Sequence, residues 1–358
     1  MKFEYWLSNI YIDNTKKINL KRSGIDAKTL FYMKNDELEK LQILTGKDIE
    51  KIDRSRQTWD IEKKWEDFVL TGINFTSIGM EDYPQKLAEI PDSPYALYYI
   101  GKLPDESKKA VAIVGARMRS AYGCEVAKKI AQKLAQNGIS VISGMARGID
   151  RDGHVGALEE NGLTYAVLGS GVDICYPKEN KFLYEKIPHS GGLISENPPG
   201  TMAVARNFPL RNRIISGLCD KVVVVEAKDK SGSLITADYA MEQGKDVYVV
   251  PGRITDPLSR GCNRLIKQGA GIIYDIDDFI ADITLTVFKE CVQMDFRKNV
   301  LDKKSLLVYS LLDFSPIGLG ELLEKVPYGL SELIEIIEYL KHIGFIKECI
   351  TNYYIKTL

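Results

Sequence analysis

The 358-residue sequence lacks several features that would assign a class of function at once. Its net charge is −1, so no global basic field favours nucleic acid, and such binding would need a local patch. Its six cysteines form no C-x-x-C pair, which favours free thiols in a reducing cytosol over disulfides or a zinc site. No apolar run reaches membrane-spanning length, and the first residues show no signal-peptide core. These absences predict a cytoplasmic protein.

Catalytic motifs are also missing. The sequence has no Walker A loop, no complete G-x-G-x-x-G, no nucleophile elbow and no pair of carboxylates at a convincing spacing. His154 lies in a predicted helix without a cysteine or serine partner at motif spacing, and we interpret it as structural. We therefore expect no catalytic residue, no metal ligand and no cofactor.

What the sequence does contain is a repeated strand–turn–helix pattern between residues 110 and 285. Short apolar runs alternate with segments of helical periodicity, as in crossover units of a parallel sheet. The pattern predicts an α/β protein with a Rossmann-like, doubly wound, mostly parallel sheet. The predicted strands cover residues 111–114, 139–143, 164–168, 193–195, 221–226, 246–250 and 272–274.

The flanking segments differ in character from this region. Residues 1–70 predict a small helical, SAM-like domain, and the proline-containing residues 71–109 predict an extended lead-in to the sheet. Residues 286–304 predict a linker, and residues 305–358 predict helices followed by a hairpin, as in a winged helix. This last segment holds seven acidic residues against four lysines, a net charge of −3. Because phosphates would be repelled, we interpret it as structural or partner-binding.

The first glycine turn of the repeated pattern is a candidate phosphate site. Gly115, Arg117 and Ser120 lie between a predicted strand and a predicted helix. Backbone N–H groups, a hydroxyl and a guanidinium at one point suit a phosphate. A tight turn with a solvated arginine explains the same residues about equally well.

Two further turns repeat this arrangement. Arg147 lies in the second turn, shortly before Asp150, which either joins a shared anion groove or caps the following helix. Ser231 and Ser233 open a helix after a buried strand, where they either cap the helix or bind an anion. Since the carboxyl ends of parallel strands share one edge of a sheet, the turns predict a common groove.

The segment NFPLRNRIISG, residues 207–217, is the most unusual stretch. Helical periodicity places Arg211 on the apolar face and Arg213 on the opposite face, so we expect Arg211 to be partly buried and ion-paired and Arg213 to be open for a ligand. Pro209 fits the first position of the helix, so Arg206 and Phe208 are predicted to precede it. A cation beside an exposed aromatic ring is typical of single-stranded nucleic acid binding, whereas a hydrophobic staple accounts for Phe208 equally well.

Taken together, these motifs resemble the DNA-processing protein A family (DprA, also called Smf), over roughly residues 72–280. The order and number of the matches make the resemblance specific. They are DYP at 82–84, GAR at 115–117, SGMARGID at 143–150, YP at 176–177, ISE at 194–196, FPLRNRIISG at 208–217, SGSLITA at 231–237, VPG at 250–252 and LIKQGA at 265–270.

The resemblance implies a non-enzymatic protein that binds and protects incoming single-stranded DNA, forms a homodimer and loads the RecA recombinase during natural transformation. It implies DNA contacts at Arg117 and Phe208. A lysine that some members use before this phenylalanine has no counterpart here, and Arg206 is the nearest base. The dimer contact of the family implies a role for four apolar residues at the end of the α/β region, which are Leu265, Ile266, Ile272 and Ile273.

Two other functions compete with this hypothesis. A nucleoside 5′-monophosphate phosphoribohydrolase has a related fold, but its PGGxGT loop is absent here and SGSLITA stands after the equivalent strand. A pure interaction protein would bind RecA without binding DNA. Release of a free base from a nucleotide would favour the first alternative, and RecA binding alone would favour the second.

Overall fold

In the computed structural model, which describes residues 1–291, 303–312, 316–343 and 345–356, the chain divides into two compact units, Met1–Ile280 and Ala281–Leu358. A nine-stranded sheet forms the centre of the first unit, in the order β1-β2-β6-β5-β4-β3-β7-β8-β9. The strands are β1 (Asn74–Ser77), β2 (Ala96–Gly101), β3 (Ala110–Val114), β4 (Ser140–Ser143), β5 (Thr164–Val167), β6 (Gly191–Ser195), β7 (Lys221–Val224), β8 (Asp246–Val249) and β9 (Gly271–Ile272).

The seven strands from β3 onward are parallel, as the apolar runs predict. Strands β3 to β6 are wholly buried, and valine and isoleucine supply most of the side chains in β3 and β7. Strand order runs outward from β3 in both directions, towards β6 on one side and β9 on the other. This doubly wound order leaves a crevice between the carboxyl ends of β3 and β7, where the connections diverge.

The helices of the parallel region begin mostly at the turns that end the strands. Helix α8 packs against α9, and α11 packs against α12. A short 3₁₀ turn (Lys178–Asn180) precedes α10. The helices are α8 (Ala121–Gln136), α9 (Ile149–Glu159), α10 (Lys181–Ser190), α11 (Asn207–Gly217), α12 (Gly232–Glu242), α13 (Arg260–Lys267) and α14 (Ile276–Cys291).

Residues 1–70 form short helices around an apolar centre that includes Trp6, Leu20, Leu30 and Ile52. Several of these helices begin at a polar N-cap, for example Asp13. The helices are α1 (Lys2–Ser8), α2 (Asn14–Arg22), α3 (Ala27–Tyr32), α4 (Asn35–Lys40), α5 (Gly46–Thr58) and α6 (Ile61–Leu70).

The segment predicted as an extended lead-in, residues 71–109, contains β1, the short helix α7 (Gln85–Ala88) and β2. Both strands join the main sheet in antiparallel register, β1 on β2 and β2 on β6. The prolines at 84, 91 and 94 lie between the strands, so they interrupt no hydrogen-bonded ladder. The prediction of extended backbone did not include the pairing of β1 with β2 and of β2 with β6, because the residues of one segment do not show which strand it pairs with.

The second unit has a core of its own around Leu322, Leu333, Ile337 and Leu340. Its small antiparallel sheet has the order β10-β12-β11, and Asn352 turns the β11–β12 hairpin with a left-handed φ of 63°. The elements are α15 (Lys303–Leu311), β10 (Ile317–Gly318), α16 (Leu319–Lys325), α17 (Leu330–His342), β11 (Ile346–Ile350) and β12 (Tyr353–Lys356). The linker predicted over 286–304 falls mostly outside the described residues.

Candidate nucleic-acid interface

A cleft of about 570 Å³ opens at the carboxyl edge of the sheet, at the crevice between β3 and β7. Its walls come from the turn after β3, the start of α9, the first turns of α11 and α12, and the loop after β7. Ile215, Ile235 and Leu258 make part of the lining apolar, whereas Arg117, Lys228 and Lys230 are exposed cations. The cleft therefore combines apolar walls with positive charge.

Phe208 forms the aromatic wall of this cleft, with Tyr176 beside it. The two ring centroids are 5.4 Å apart, and Tyr176 is 46% exposed. The guanidinium of Arg117 lies over the Phe208 ring, 5.7 Å from its centroid. Phe208 also packs on Gly169, where an added Cβ would lie 3.0 Å from a ring atom. The prediction that Phe208 precedes the helix is wrong, because α11 begins at Asn207 and Phe208 is its second residue. Phe208 therefore does not act as a staple from outside the helix.

The loop after β7 brings two lysines and two serines to the cleft. Ser231 caps α12, because its side chain accepts a hydrogen bond from the Ser233 backbone N–H. The hydroxyls of Ser231 and Ser233 are 2.8 Å apart. Lys228 and Lys230 line the cleft just before this cap. Both predictions for the serines, capping and facing a possible anion, are compatible with this geometry.

The turn after β3 differs from the predicted phosphate site at one residue, Ser120. Its backbone N–H donates to the buried carboxylate of Glu226 at 2.9 Å, and its hydroxyl donates to the same carboxylate at 2.5 Å. The hydroxyl also accepts from Gly123 N–H at 2.9 Å, which caps α8. The N–H and the hydroxyl of Ser120 are both bonded to Glu226 at the N-terminus of α8. The prediction that Ser120 contacts DNA is therefore wrong. Gly115 and Arg117 line the cleft as predicted.

The second turn is also closed by a carboxylate. Asp150 lies in the first turn of α9, is buried and lines the cleft. Burial raises the pKa of Asp150, whereas the charge of Arg211 and the backbone N–H groups of Ala146 and Gly144 favour its charged form. Asp150 is not the N-cap of α9, since Gly148 holds that position with a φ of 77°. Arg147 is exposed and pairs with Glu179.

Arg211 is more deeply buried than the helical periodicity predicts, with 4% of its surface exposed. Its guanidinium donates to the backbone oxygens of Gly144, at 2.8 Å, and Val167. Burial lowers its pKa to about 10, and the nearby Asp150 acts in the opposite direction. Its Nη1 is thus committed to the ends of β4 and β5. Arg211 nevertheless lines the cleft, 5.9 Å from the centroid of the Phe208 ring, so its contact with DNA stays a prediction.

Arg213 contradicts the prediction that it is open for a ligand. It is 3% exposed and donates to Glu196 at 2.7 and 2.9 Å and to Asp92 at 2.8 Å. Although burial lowers the pKa of Arg213, the two carboxylates raise it above its usual value. The side of α11 that carries Arg213 meets Glu196, directly after β6, and Asp92, in the loop before β2. A helical wheel does not show which other elements meet a face.

The four apolar residues implied in a dimer contact separate into two groups. Leu265 and Ile273 are 2% and 6% exposed, so both are buried within the chain and cannot meet a partner as predicted. Ile266 is half-buried and Ile272 is 45% exposed. Arg206, at the start of α11, is exposed.

His154 is fully buried in α9, where its Nδ1 lies 2.7 Å from the Thr164 hydroxyl. Burial lowers its pKa to about 3, so the ring is neutral at physiological pH. Its position in the core agrees with the structural interpretation. Among the described residues, no group of three or more His, Cys, Asp or Glu side chains could hold a metal ion. In the same part of the chain, no helix is long and apolar enough to cross a membrane.

The sequence did not lead us to predict Tyr176, Lys228 and Lys230, which line the cleft with an aromatic ring and two cations. Tyr176 was noticed only as part of a YP motif, and its closeness to Phe208 depends on a contact across 32 positions of sequence. The lysines directly precede the Ser231–Ser233 turn, so charge beside a predicted anion turn was an available signal.

The doubly wound sheet and the cleft at its crevice define the chain as an α/β protein of the class that binds ligands at the carboxyl edge of its strands. The family model described as DNA recombination-mediator protein A matches residues 74–284, more than half of the chain. The chain therefore belongs to the DNA recombination-mediator protein A family.

Relatives of known name support this membership. The chain is 45% identical to DNA processing protein DprA of Streptococcus pneumoniae over 200 residues, which cover 56% of this chain and 71% of the relative. It is 36% identical to protein Smf of Synechocystis over 286 residues, which cover 78% and 72% of the two chains.

Two solved structures have similar folds. The crystal structure of DprA from Streptococcus pneumoniae superposes with a TM-score of 0.70 at 36% identity, over 78% of this chain and 97% of that one. DNA processing protein A from Helicobacter pylori, solved to describe its single-stranded DNA binding mode, has a TM-score of 0.54 at 29% identity. The match covers 60% of this chain and 97% of that one.

Proposed function

We propose that this protein binds single-stranded DNA in the cleft between β3 and β7. The observation that carries the proposal is the guanidinium of Arg117 lying 5.7 Å from the centroid of the Phe208 ring, in a cleft that also contains Tyr176. Single strands expose both phosphates and base faces, so a cation beside aromatic rings fits both at once. The single-stranded DNA binding described for the Helicobacter pylori relative supports the same ligand class.

Binding is expected to depend on backbone charge and stacking and not on base identity. Arg117, Lys228 and Lys230 are exposed cations of the cleft. If each neutralises one phosphate, the logarithm of affinity falls with the logarithm of salt concentration with a slope of about −2, at roughly −0.7 per phosphate on single strands. The net charge of −1 gives no additional long-range attraction.

The family assignment supports a wider role in recombination. We propose that the protein acts without catalysis, protects incoming single strands and loads RecA during natural transformation. We also propose a homodimer, to which the less buried pair, Ile266 of α13 and Ile272 of β9, contributes. Two linked clefts would raise the avidity for one strand.

The flanking segments complete the proposal. We propose that residues 1–70 are a small SAM-like domain and that residues 110–285 are the DNA-binding domain, with residues 71–109 joining the two and adding β1 and β2 to the sheet. After the linker at 286–304, α16, α17 and the β11–β12 hairpin support a winged helix over residues 305–358. Glu335 is exposed on α17, while Glu332 and Glu338 pair with Lys304 and Lys341. The net charge of −3 over residues 305–358 favours a protein partner over DNA.

Fluorescence anisotropy of labelled oligo-dT over a salt series tests the DNA proposal. We expect the wild type to favour single over double strands, and Arg117→Ala and Phe208→Ala each to weaken binding by about tenfold, since a stacked base and a charged contact are each worth about 1–3 kcal/mol. Arg54→Ala, at an exposed arginine of α5, removes the same charge elsewhere and should leave affinity unchanged.

Absence of binding by the wild type at low salt would overturn the proposal. So would equal losses in the Arg54→Ala and Arg117→Ala variants, because binding would then follow total charge and not the cleft. Release of a free base from a nucleotide would instead favour the phosphoribohydrolase alternative.

A further inference from the structure

Besides α11, which carries Phe208, three helices begin at the carboxyl edge of the sheet near the cleft, and two of them already have a carboxylate of the chain at their start. The carboxylate of Glu226 accepts from Ser120 at the start of α8. Asp150, in the first turn of α9, is buried and lines the cleft, so its carboxylate already stands at that helix start. An external phosphate at either point would have to displace a buried carboxylate.

The start of α12 is different. The hydroxyl of Ser231 provides the cap, and among the described residues no carboxylate accepts a hydrogen bond from this turn. A Cβ added to Gly232 would meet nothing within 4 Å, whereas one added to Gly123 in α8 would overlap the Glu226 carboxylate. Lys228 and Lys230 line the cleft beside this open helix start. Asp229 lies between the two lysines and is exposed.

The size of the cleft limits what can fill it. Its volume of about 570 Å³ lies within the roughly 300–1,000 Å³ typical of small-molecule sites. The aromatic wall, Phe208 with Tyr176, offers a surface for a base, and the start of α12 with its lysines offers a place for a phosphate. A long strand can follow an open groove, but a cleft of this volume accommodates about one nucleotide.

From this geometry we infer that the cleft is a mononucleotide site. The phosphate binds at the start of α12 with Lys228 and Lys230, and the base lies against Phe208 and Tyr176. A free nucleoside 5′-monophosphate is therefore a ligand in its own right and competes with single-stranded DNA. This inference rests on the proposed function, since the same cleft holds one nucleotide of the strand.

Isothermal titration calorimetry with dTMP, thymidine and inorganic phosphate as separate probes tests the inference on the full chain. We expect saturable dTMP binding that is tighter than that of thymidine or phosphate, because only dTMP fills both parts of the cleft. The Lys228→Ala/Lys230→Ala double variant should weaken dTMP binding by about tenfold or more, as expected for loss of charge-assisted contacts. dTMP should also displace labelled oligo-dT.

Gly232→Asp gives a second, sharper test. This substitution places a carboxylate at the start of α12, as α8 and α9 already have, and the space around residue 232 is open. Because the carboxylate competes with the phosphate for the helix start, dTMP binding should weaken by about tenfold or more. Gly232→Ala is the matched control and should bind dTMP within about twofold of the wild type. Circular dichroism and thermal melts check that each variant is folded.

The outcomes separate this inference from the proposed function. Binding of oligo-dT without saturable dTMP binding overturns the mononucleotide site and leaves the DNA proposal in place. Binding of dTMP without oligo-dT binding overturns the DNA proposal and leaves the mononucleotide site in place. Equal affinity for dTMP and inorganic phosphate, or full dTMP binding by both the lysine double variant and Gly232→Asp, also overturns the inference.

Discussion

Glu226 shows how one residue changes the chemistry of a turn. It follows β7 and is buried, yet its carboxylate lies at the start of α8, where Ser120 donates two hydrogen bonds to it. A carboxylate at this position satisfies free backbone donors and interacts favourably with the helix dipole. Gly123 permits the approach, since a Cβ there would overlap the carboxylate. In the turn after β3, the guanidinium of Arg117 is therefore available to a ligand, whereas the start of α8 is occupied by Glu226.

Gly123→Ala tests this arrangement. The added methyl group must displace Glu226, so we expect a loss of about 1–3 kcal/mol in the free energy of unfolding, the usual cost of overpacking. Urea unfolding followed by circular dichroism measures it. Gly46→Ala is the matched control at the start of α5, where an added Cβ meets nothing within 4 Å and stability should not fall. Equal stability of the two variants would contradict the close approach of Glu226.

Whether a site residue was predicted correctly depended on how far along the sequence its partners lie. Arg117 and Phe208 were predicted for the cleft from local pattern, and the structure places both there. Ser120 and Arg213 were assigned to the ligand because their partners are 106 and 17 or more positions away in sequence. A local pattern shows that a residue is polar and on which face of its own helix it lies. It does not show that a carboxylate from a distant part of the sequence pairs with that residue.

Helix α11 is the element that presents the aromatic wall. Phe208 lies in its first turn, and two buried arginines hold the helix in place behind it. Arg211 fixes it to the ends of β4 and β5 through backbone oxygens, and Arg213 fixes it to Glu196 and Asp92. Glu196 directly follows β6 and also accepts from Asn14 of α2 at 3.3 Å. The position of Phe208 therefore depends on contacts with the sheet and with residues 1–70.

A double-mutant cycle on Arg213 and Glu196 measures this anchor. We expect Arg213→Met and Glu196→Gln each to lower the free energy of unfolding, and the double variant to lose less than the sum, with a coupling of about 1–3 kcal/mol. The exposed pair Lys181 and Glu185 is the control, with an expected coupling of about 0.3–0.5 kcal/mol. Chemical unfolding of all six variants and the wild type supplies the values. A coupling no larger than that of the exposed pair would contradict an anchoring role.

Elements of the parallel sheet were largely predictable, because buried strands show as short apolar runs between glycine turns. The runs at 111–114 and 221–226 correspond to β3 and β7, with differences of one or two residues at their ends. The pairing of β1 and β2 was not predictable in the same way. These two strands are short, lie among prolines and pair antiparallel at one end of the sheet. Their own residues do not indicate which strand each one pairs with.

At the scale of the whole molecule, charge is separated although the total is close to zero. The net charge of −1 combines an exposed basic set at the cleft with a C-terminal segment of net −3. Total charge thus said little about the ligand, while its distribution along the chain was informative. The DNA proposal requires that the strand meets the first unit at the cleft and avoids the acidic α17.

Photocrosslinking with an oligonucleotide that carries 5-iododeoxyuridine tests this requirement most directly, because it reports where the bases lie. Mass spectrometry of the crosslinked peptides identifies the contacted segment. Our account predicts adducts on the peptides that contain Tyr176 or Phe208, and their loss when unlabelled oligo-dT competes. Adducts confined to residues 1–70 or to the second unit would contradict the claim that the cleft between β3 and β7 is the DNA-binding site.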